Sequence, residues 1–209
     1  MKNAQLVYVH DPMCSWCWGF RPVLQQLLAS LPANIKVIRM LGGLAADSDS
    51  PMPEEMQRSL QQTWRVIQGR IPGTAFNFDF WANCAPRRST WPACRAVIAA
   101  RRQGAKYDEE MTHAIQTAYY LNAKNPADDS TLIELAESIG LDRGAFADAL
   151  NSTSTRQVLA DEIDFGRTLG VQGFPSLVLI ANNAARPITV DYTEARSMLN
   201  ALSGRLPDY

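Results

Sequence analysis

Residues 6–31 read LVYVH (6–10), DPMCSWCWGF (11–20) and RPVLQQLLASL (21–31), and the order of signals in this stretch decides the fold. An apolar run rich in valine and tyrosine predicts a strand, and Asp11-Pro12 predicts a turn. Cys14 and Cys17 follow with two residues between them, and the segment to Leu31 has the periodicity of an amphipathic helix. This spacing puts Cys14 in the first helical turn and Cys17 one turn further on the same face, close enough to form a small disulfide ring. Backbone N–H groups without intrahelical partners and the positive end of the helix dipole favour an anion at the helix start, hence the Cys14 thiolate. Cys14 therefore reads as the nucleophile, and Cys17, shielded by its own helix, as the resolving thiol that displaces a substrate from a mixed disulfide. Neither Ser15 nor Trp16 is cationic, so the expected stabilisation comes mainly from helix-end amides with a hydrogen bond from Ser15. Trp16 and Trp18 bracket Cys17 and offer a flat apolar surface for a polypeptide or hydrophobic substrate. Pro22 removes one helical hydrogen bond and predicts a kink.

Outward from this stretch, Ile35 to Leu41 is a second strand ended by Gly42-Gly43, and strand, helix, strand implies a right-handed crossover and a parallel pair. At Pro53 the character changes. Met56, Leu60, Trp64 and Ile67 recur at helical spacing, and residues 71–81 form an aromatic-rich loop. Further helices are expected from a Ser89-Thr90 cap to Arg102, from Glu109 to Leu121, from Leu132 to Ile139 behind a Thr131/Glu134 capping box, and from Asp142 to Leu150. The Thr155 to Leu169 helix should turn Val158, Leu159, Ile163, Phe165 and Leu169 inward. A strand from Pro175 to Ala181, a turn at Asn182-Asn183, a strand from Arg186 to Val190 and a helix from Tyr192 to Leu202 close the chain. Residues 1–52 and 152–209 thus make one α/β domain. Residues 53–151 are a helical insertion expected to pack on it as a lid that sets substrate choice.

Strand, Cys-x-x-Cys and helix, with Pro22 five residues after Cys17, resemble the active site of the thioredoxin superfamily. GVQGFPSLVLI (170–180) resembles the loop in which that superfamily sets a cis proline against its dithiol. The helical insertion points to the DsbA-like branch, and DPMCSWCWG is similar to FrnE-like, protein-disulfide-isomerase members of it. The resemblance implies a thioredoxin fold interrupted once by helices and a thiol-disulfide oxidoreductase or disulfide isomerase. It also implies a cis Phe174-Pro175 bond, with the Phe174 backbone facing Cys14 to receive substrate as an added strand. Expected site residues are Cys14 and Cys17 for catalysis and Ser15, Trp16, Trp18, Phe174 and Pro175 for substrate, with no metal. No cofactor is expected beyond the redox-active cysteine pair, with glutathione as a candidate co-substrate.

The whole chain narrows the alternatives. Twenty basic and 21 acidic residues give a formal net charge of -1 without a long charge run, which argues against nucleic acid or a membrane surface as partner. The partner classes left are thiol- or disulfide-containing proteins and small molecules, and the sequence does not fix the oligomeric state. The first strand begins almost at once with no signal-like apolar region, so a cytoplasmic location is the expectation, and in a reducing compartment Cys14 and Cys17 read as catalytic rather than structural. STWPACR (89–95) resembles the Asn-Thr-x-x-Ala-His-Arg stretch of FrnE-like and kappa-class glutathione transferase relatives, with Cys94 in place of the histidine. Cys94 itself reads first as a small buried hydrophobe. His10 reads as a strand-end histidine bonded to backbone, and His113 as helix surface or a satisfied core polar group. Asp11 is a turn residue that can also accept a proton from Cys17, and Asp161, Glu162 and Asp164 read as a solvated helix face. Two further function classes remain. A glutathione-dependent isomerase or transferase of the kappa-class or 2-hydroxychromene-2-carboxylate isomerase type generally carries serine at the Cys14 position and lacks the dithiol. A non-catalytic metal-binding module would need Cys84 and Cys94 as further ligands.

Overall fold

The computed structural model describes residues 4–204. Strands β1 (Ala4–His10), β2 (Ile35–Leu41), β3 (Ser176–Ala181) and β4 (Ala184–Ile188) form one sheet in the order β2-β1-β3-β4. β1 and β2 are parallel, with Leu6 opposite Val37, and helix α1 (Ser15–Ala29) makes the crossover. β3 runs antiparallel to β1, with Val178 opposite Val7, and β4 antiparallel to β3. The central β1 is buried from Leu6 to His10 and mostly apolar because both of its faces are covered. Leu6 and Tyr8 pack with Phe20, Leu24 and Leu27 of α1 and with Met198 and Leu202 of α9 (Arg196–Ser203), while Val7 and Val9 pack with Met40 and Val178 on the other side. Asn182 and Asn183 make the β3–β4 turn with φ of 52° and 61°, a left-handed conformation that asparagine tolerates best among non-glycine residues.

Between β2 and β3 run α2 (Glu54–Arg70), α3 (Phe80–Asn83), α4 (Trp91–Arg101), α5 (Tyr107–Tyr120), α6 (Asp129–Ser138), α7 (Arg143–Leu150) and α8 (Thr153–Thr168). Their shared core is aromatic: Trp64 stacks on Phe76 at 4.9 Å, and Phe80, Tyr119 and Tyr120 close around it. The same cluster takes in Met13 from the dithiol loop and Leu41 from the end of β2, so the helical core extends to the floor of the site. This is a thioredoxin fold interrupted by helices, the DsbA-like arrangement. Among the described residues no helix is long and apolar enough to cross a membrane.

Several sequence expectations are corrected. α6 begins at Asp129 rather than behind Thr131, so the capping box is out of register, and the end of the expected 71–81 loop is helical, since α3 takes in residues 80–83. α9 starts at Arg196 because Asp191 caps the preceding turn, accepting from the Thr193 and Glu194 N–H groups and the Ser197 hydroxyl. On α8 Val158 and Phe165 are exposed, and the buried stripe is Thr155, Leu159, Glu162, Ile163 and Gly166. A stripe that contains glycine, threonine and glutamate carries little hydrophobic signal. Glu162 is therefore not on a solvated face: Oε2 accepts the Leu41 N–H at 2.7 Å and Oε1 pairs with Arg101, which ties α8 to β2 and α4.

Candidate active site

Cys14 is the N-cap of α1, in extended conformation, and its carbonyl already accepts the Trp18 N–H at 3.1 Å. The loop before it is held by Asp11, whose carbonyl accepts the Cys14 N–H at 3.0 Å and whose Oδ1 accepts the Met13 N–H at 2.8 Å. Cys14 is 7% exposed and Cys17, one turn along, only 1%. Both thiols are free. Burial, followed by the hydrogen bond and charge of the neighbouring Cys14 sulfur, pushes the Cys17 thiol well above its ordinary range. Cys17 thus holds its proton while Cys14 carries the accessible sulfur.

Opposite the dithiol, the loop entering β3 presents its backbone. The Phe174-Pro175 peptide bond is cis, Pro175 is buried, and the Cys14 thiol donates to the Phe174 carbonyl oxygen at 3.4 Å. Trp16 lies half-buried over a groove of about 730 Å³ that Phe174, Arg70, Ile71, Val190 and Tyr192 also line. Its ring meets Tyr192 at 5.1 Å, and the Arg70 guanidinium stands 6.0 Å from its centroid. Trp18 is directed elsewhere. Its Nε1 donates to the Ala75 carbonyl at 3.0 Å and its ring stacks on Tyr120, so it fastens α1 to the helical core and lines the adjoining cavity instead of sharing one surface with Trp16. Ser15 is half-buried, and the Cys14 side chain accepts no capping hydrogen bond from the helix-start N–H groups.

Beneath the dithiol lies a buried polar layer that the sequence reading underestimates. Asp11 is fully buried, and its Oδ2 accepts the Leu44 N–H at 2.8 Å, the Thr90 hydroxyl at 2.6 Å and the Cys94 thiol at 3.4 Å. Burial raises the Asp11 carboxyl above its ordinary value against the lowering effect of these donors. Thr90 is the N-cap of α4 as expected, yet its hydroxyl serves Asp11 and Ala45 rather than its own helix. Cys94 is buried against Asp11, with its thiol pushed up by burial, whereas Cys84 is half-exposed and donates to the Ala123 carbonyl at 3.1 Å. His10 departs from its expectation: it is fully buried, stacked parallel on Tyr8 at 4.7 Å, and neither ring nitrogen has a hydrogen-bond partner among the described residues. Burial first, then the charges of Arg39, Arg101 and Arg21, lower its pKa to about 3. His113 sits on the α5 surface, lining the cavity beside Trp18. Among the described residues no group of three or more His, Cys, Asp or Glu is placed to hold a metal ion.

The pairing of an N-cap cysteine with a cis-proline loop agrees with the match of a thioredoxin family profile over residues 7–198. The chain belongs to the thioredoxin family. Among solved structures it is similar to a candidate protein disulfide isomerase from Nitrosomonas europaea, with 28% identity, a TM-score of 0.83 and 97% of each chain covered. The cytosolic disulfide reductase DsbM from Pseudomonas aeruginosa, 24% identical, has the same fold with a TM-score of 0.76 over 96% of this chain and 98% of its own, and a second structure of DsbM contains GSH. Among curated proteins the chain is 26% identical over 177 residues to the ClpXP adapter protein SpxH of Bacillus subtilis, covering 84% of this chain and 58% of SpxH. The chain therefore spans less than two thirds of the length of that relative.

Proposed function

We propose that this thioredoxin-family chain is a thiol-disulfide oxidoreductase that reduces or isomerises disulfides of protein or small-molecule substrates in a reducing compartment. The observation that carries the reading is the division of labour at one helix start: Cys14 at the N-cap faces the Phe174 carbonyl at 3.4 Å, while Cys17 is buried behind it and holds its proton. Cys14, as thiolate, attacks one sulfur of the substrate disulfide. The substrate S–S bond breaks, a Cys14–substrate disulfide forms, and the other substrate sulfur leaves with a proton from solvent. Cys17 then gives up its proton and attacks Cys14 Sγ, which closes the Cys14–Cys17 disulfide and releases the second substrate thiol. Two glutathione thiols, oxidised together to glutathione disulfide, return the pair to its dithiol.

The groove beside Trp16 supports glutathione as co-substrate. Among the described residues Arg70 is the cation lining it, and the one carboxylate of the lining, Asp191, is engaged by Thr193, Glu194 and Ser197 rather than by that guanidinium. It is placed to meet a carboxylate of a small thiol peptide while the Trp16 ring supports its apolar part. The reading is tested by incubating Cys17→Ser and Cys14→Ser proteins with a peptide disulfide. Cys17→Ser should accumulate a reductant-sensitive adduct through Cys14 and Cys14→Ser should not. Equal labelling of both variants, or of neither, would contradict the assignment.

A further inference from the structure

Gly42, the first residue past β2, lies directly under the Phe174 ring. A Cβ built on its backbone would stand 1.9 Å from Cε1, 2.0 Å from Cζ and 2.8 Å from Cδ1 of that ring. Carbon atoms pack at roughly 3.5 to 4.0 Å, so even an alanine would require the ring to move by about 1.5 Å or more. The glycine itself cannot easily yield. Its N–H donates to the His10 carbonyl at 2.7 Å, extending the β1–β2 pairing. On its other side Gly43 has a φ of +60°, accepts the Trp91 Nε1–H at its carbonyl at 3.1 Å, and would meet Ile163 Cδ1 at 2.4 Å if it carried a Cβ. The pair is thus held between the Phe174 loop and helices α4 and α8.

Two movements of the ring reach the site. Phe174 lines both the 730 Å³ groove beside Trp16 and a smaller cavity of about 240 Å³ that Val9, Gly42, Ile163 and Gly173 also line. Swung toward Trp16, the ring fills the groove; with the ring kept in place, the loop backs away and carries the Phe174 carbonyl from Cys14. We propose that Gly42 is a positioning residue for disulfide exchange: its missing side chain lets the Phe174 ring stand against the end of β2, which keeps the Phe174 carbonyl beside Cys14 and the Trp16 groove open to substrate. The inference rests on the disulfide-exchange reading above and adds the residue that sets the substrate-facing loop.

The test compares Gly42→Ala in the native background and in Phe174→Ala, with exchange rates measured on a peptide disulfide and on a small aromatic disulfide that has no peptide backbone. In the native background Gly42→Ala should lower kcat/KM for the peptide disulfide by about tenfold or more, as misplacement of a docking group near 1 Å can do. The small reagent should be affected much less. In the Phe174→Ala background, where the added methyl has room, Gly42→Ala should change neither rate. Equal losses in both backgrounds, equal losses for both reagents, or no loss at all in a native protein that exchanges disulfides would overturn the inference. A Gly42→Ala protein that fails to fold while the double variant folds supports it; failure of both overturns it. A native protein with no exchange activity toward either reagent would remove the disulfide-exchange reading itself, and this inference with it.

Discussion

The Thr90 hydroxyl donates to Asp11 Oδ2 across 2.6 Å, and this contact joins the start of helix α4 to the loop that carries the dithiol. Asp11 gathers further donors from Met13, Leu44 and Cys94, so one carboxylate fastens three chain segments together beneath Cys14 and Cys17. Asp11→Ala would leave buried amide and hydroxyl donors unpaired and is expected to cost on the order of 3 kcal/mol. Thr90→Val removes one of the Asp11 donors together with the acceptor of the Ala45 N–H and is expected to cost less, about 1 to 2 kcal/mol. Urea unfolding of the two variants checks the order, and a Thr90→Val loss as large as that of Asp11→Ala would contradict it.

Glu162 makes the equivalent tie on the other side of β2. Its two oxygens hold the Leu41 N–H and Arg101, and it is 9% exposed. Glu162→Ala leaves Arg101 with Asp108 alone and is expected to destabilise the fold by roughly 3 kcal/mol, with smaller effect for Glu162→Gln, which retains an acceptor for Leu41. Chemical denaturation measures both, and equal losses would assign the effect to charge rather than to the backbone contact.

His10 gives a pH signature. Its imidazole titrates near 6.5 in the unfolded chain and at about 3 in the fold, so between these values the unfolded state binds more protons. Stability from this group is therefore complete above about pH 6.5 and is lost as the pH falls toward 3. His10→Phe keeps the stack on Tyr8 and removes the titration. Thermal midpoints measured from pH 7 to pH 4 should diverge, with the variant increasingly the more stable as the solution is acidified. Parallel midpoints would mean that His10 is not the neutral, buried group described here.

Arg70 should matter to charged thiols in particular. Arg70→Ala is expected to raise the glutathione concentration needed for half-maximal turnover by about two- to fivefold at low salt, the range of an exposed ion pair, and the difference should shrink as salt is added. An unchanged requirement at low salt would remove Arg70 from the groove's recognition of carboxylates.

How much of this was legible in the sequence follows from how each feature is encoded. The strand–CxxC–helix unit and the distant Gly-Phe-Pro-Ser loop are short and contiguous, and the parallel pairing of β1 with β2 follows from the crossover between them. The roles of Trp16 and Trp18 were not separable, because neighbouring residues on a helix point in different directions and only Trp18 finds the Ala75 carbonyl. Asp11, Glu162 and His10 read as turn, surface and strand end since a polar side chain announces its burial only through partners that are remote in sequence, here Thr90, Arg101 and the Tyr8 face. Gly42 carried a plain strand-stop signal. What makes it matter is an aromatic ring 132 positions away in the chain, which no local pattern contains.

The central claim is that Cys14 and Cys17 form one reversible redox pair. The measurement is a titration of the purified protein against defined ratios of reduced to oxidised glutathione, quenched in acid and counted for free thiols by alkylation and mass. Two thiols should disappear together as the ratio becomes oxidising, and mapping should place the disulfide between Cys14 and Cys17. The loss should reverse on reduction, and it should be absent in Cys14→Ser and Cys17→Ser. A pair that stays reduced at every ratio, or a disulfide that engages Cys84 or Cys94 instead, would contradict the account.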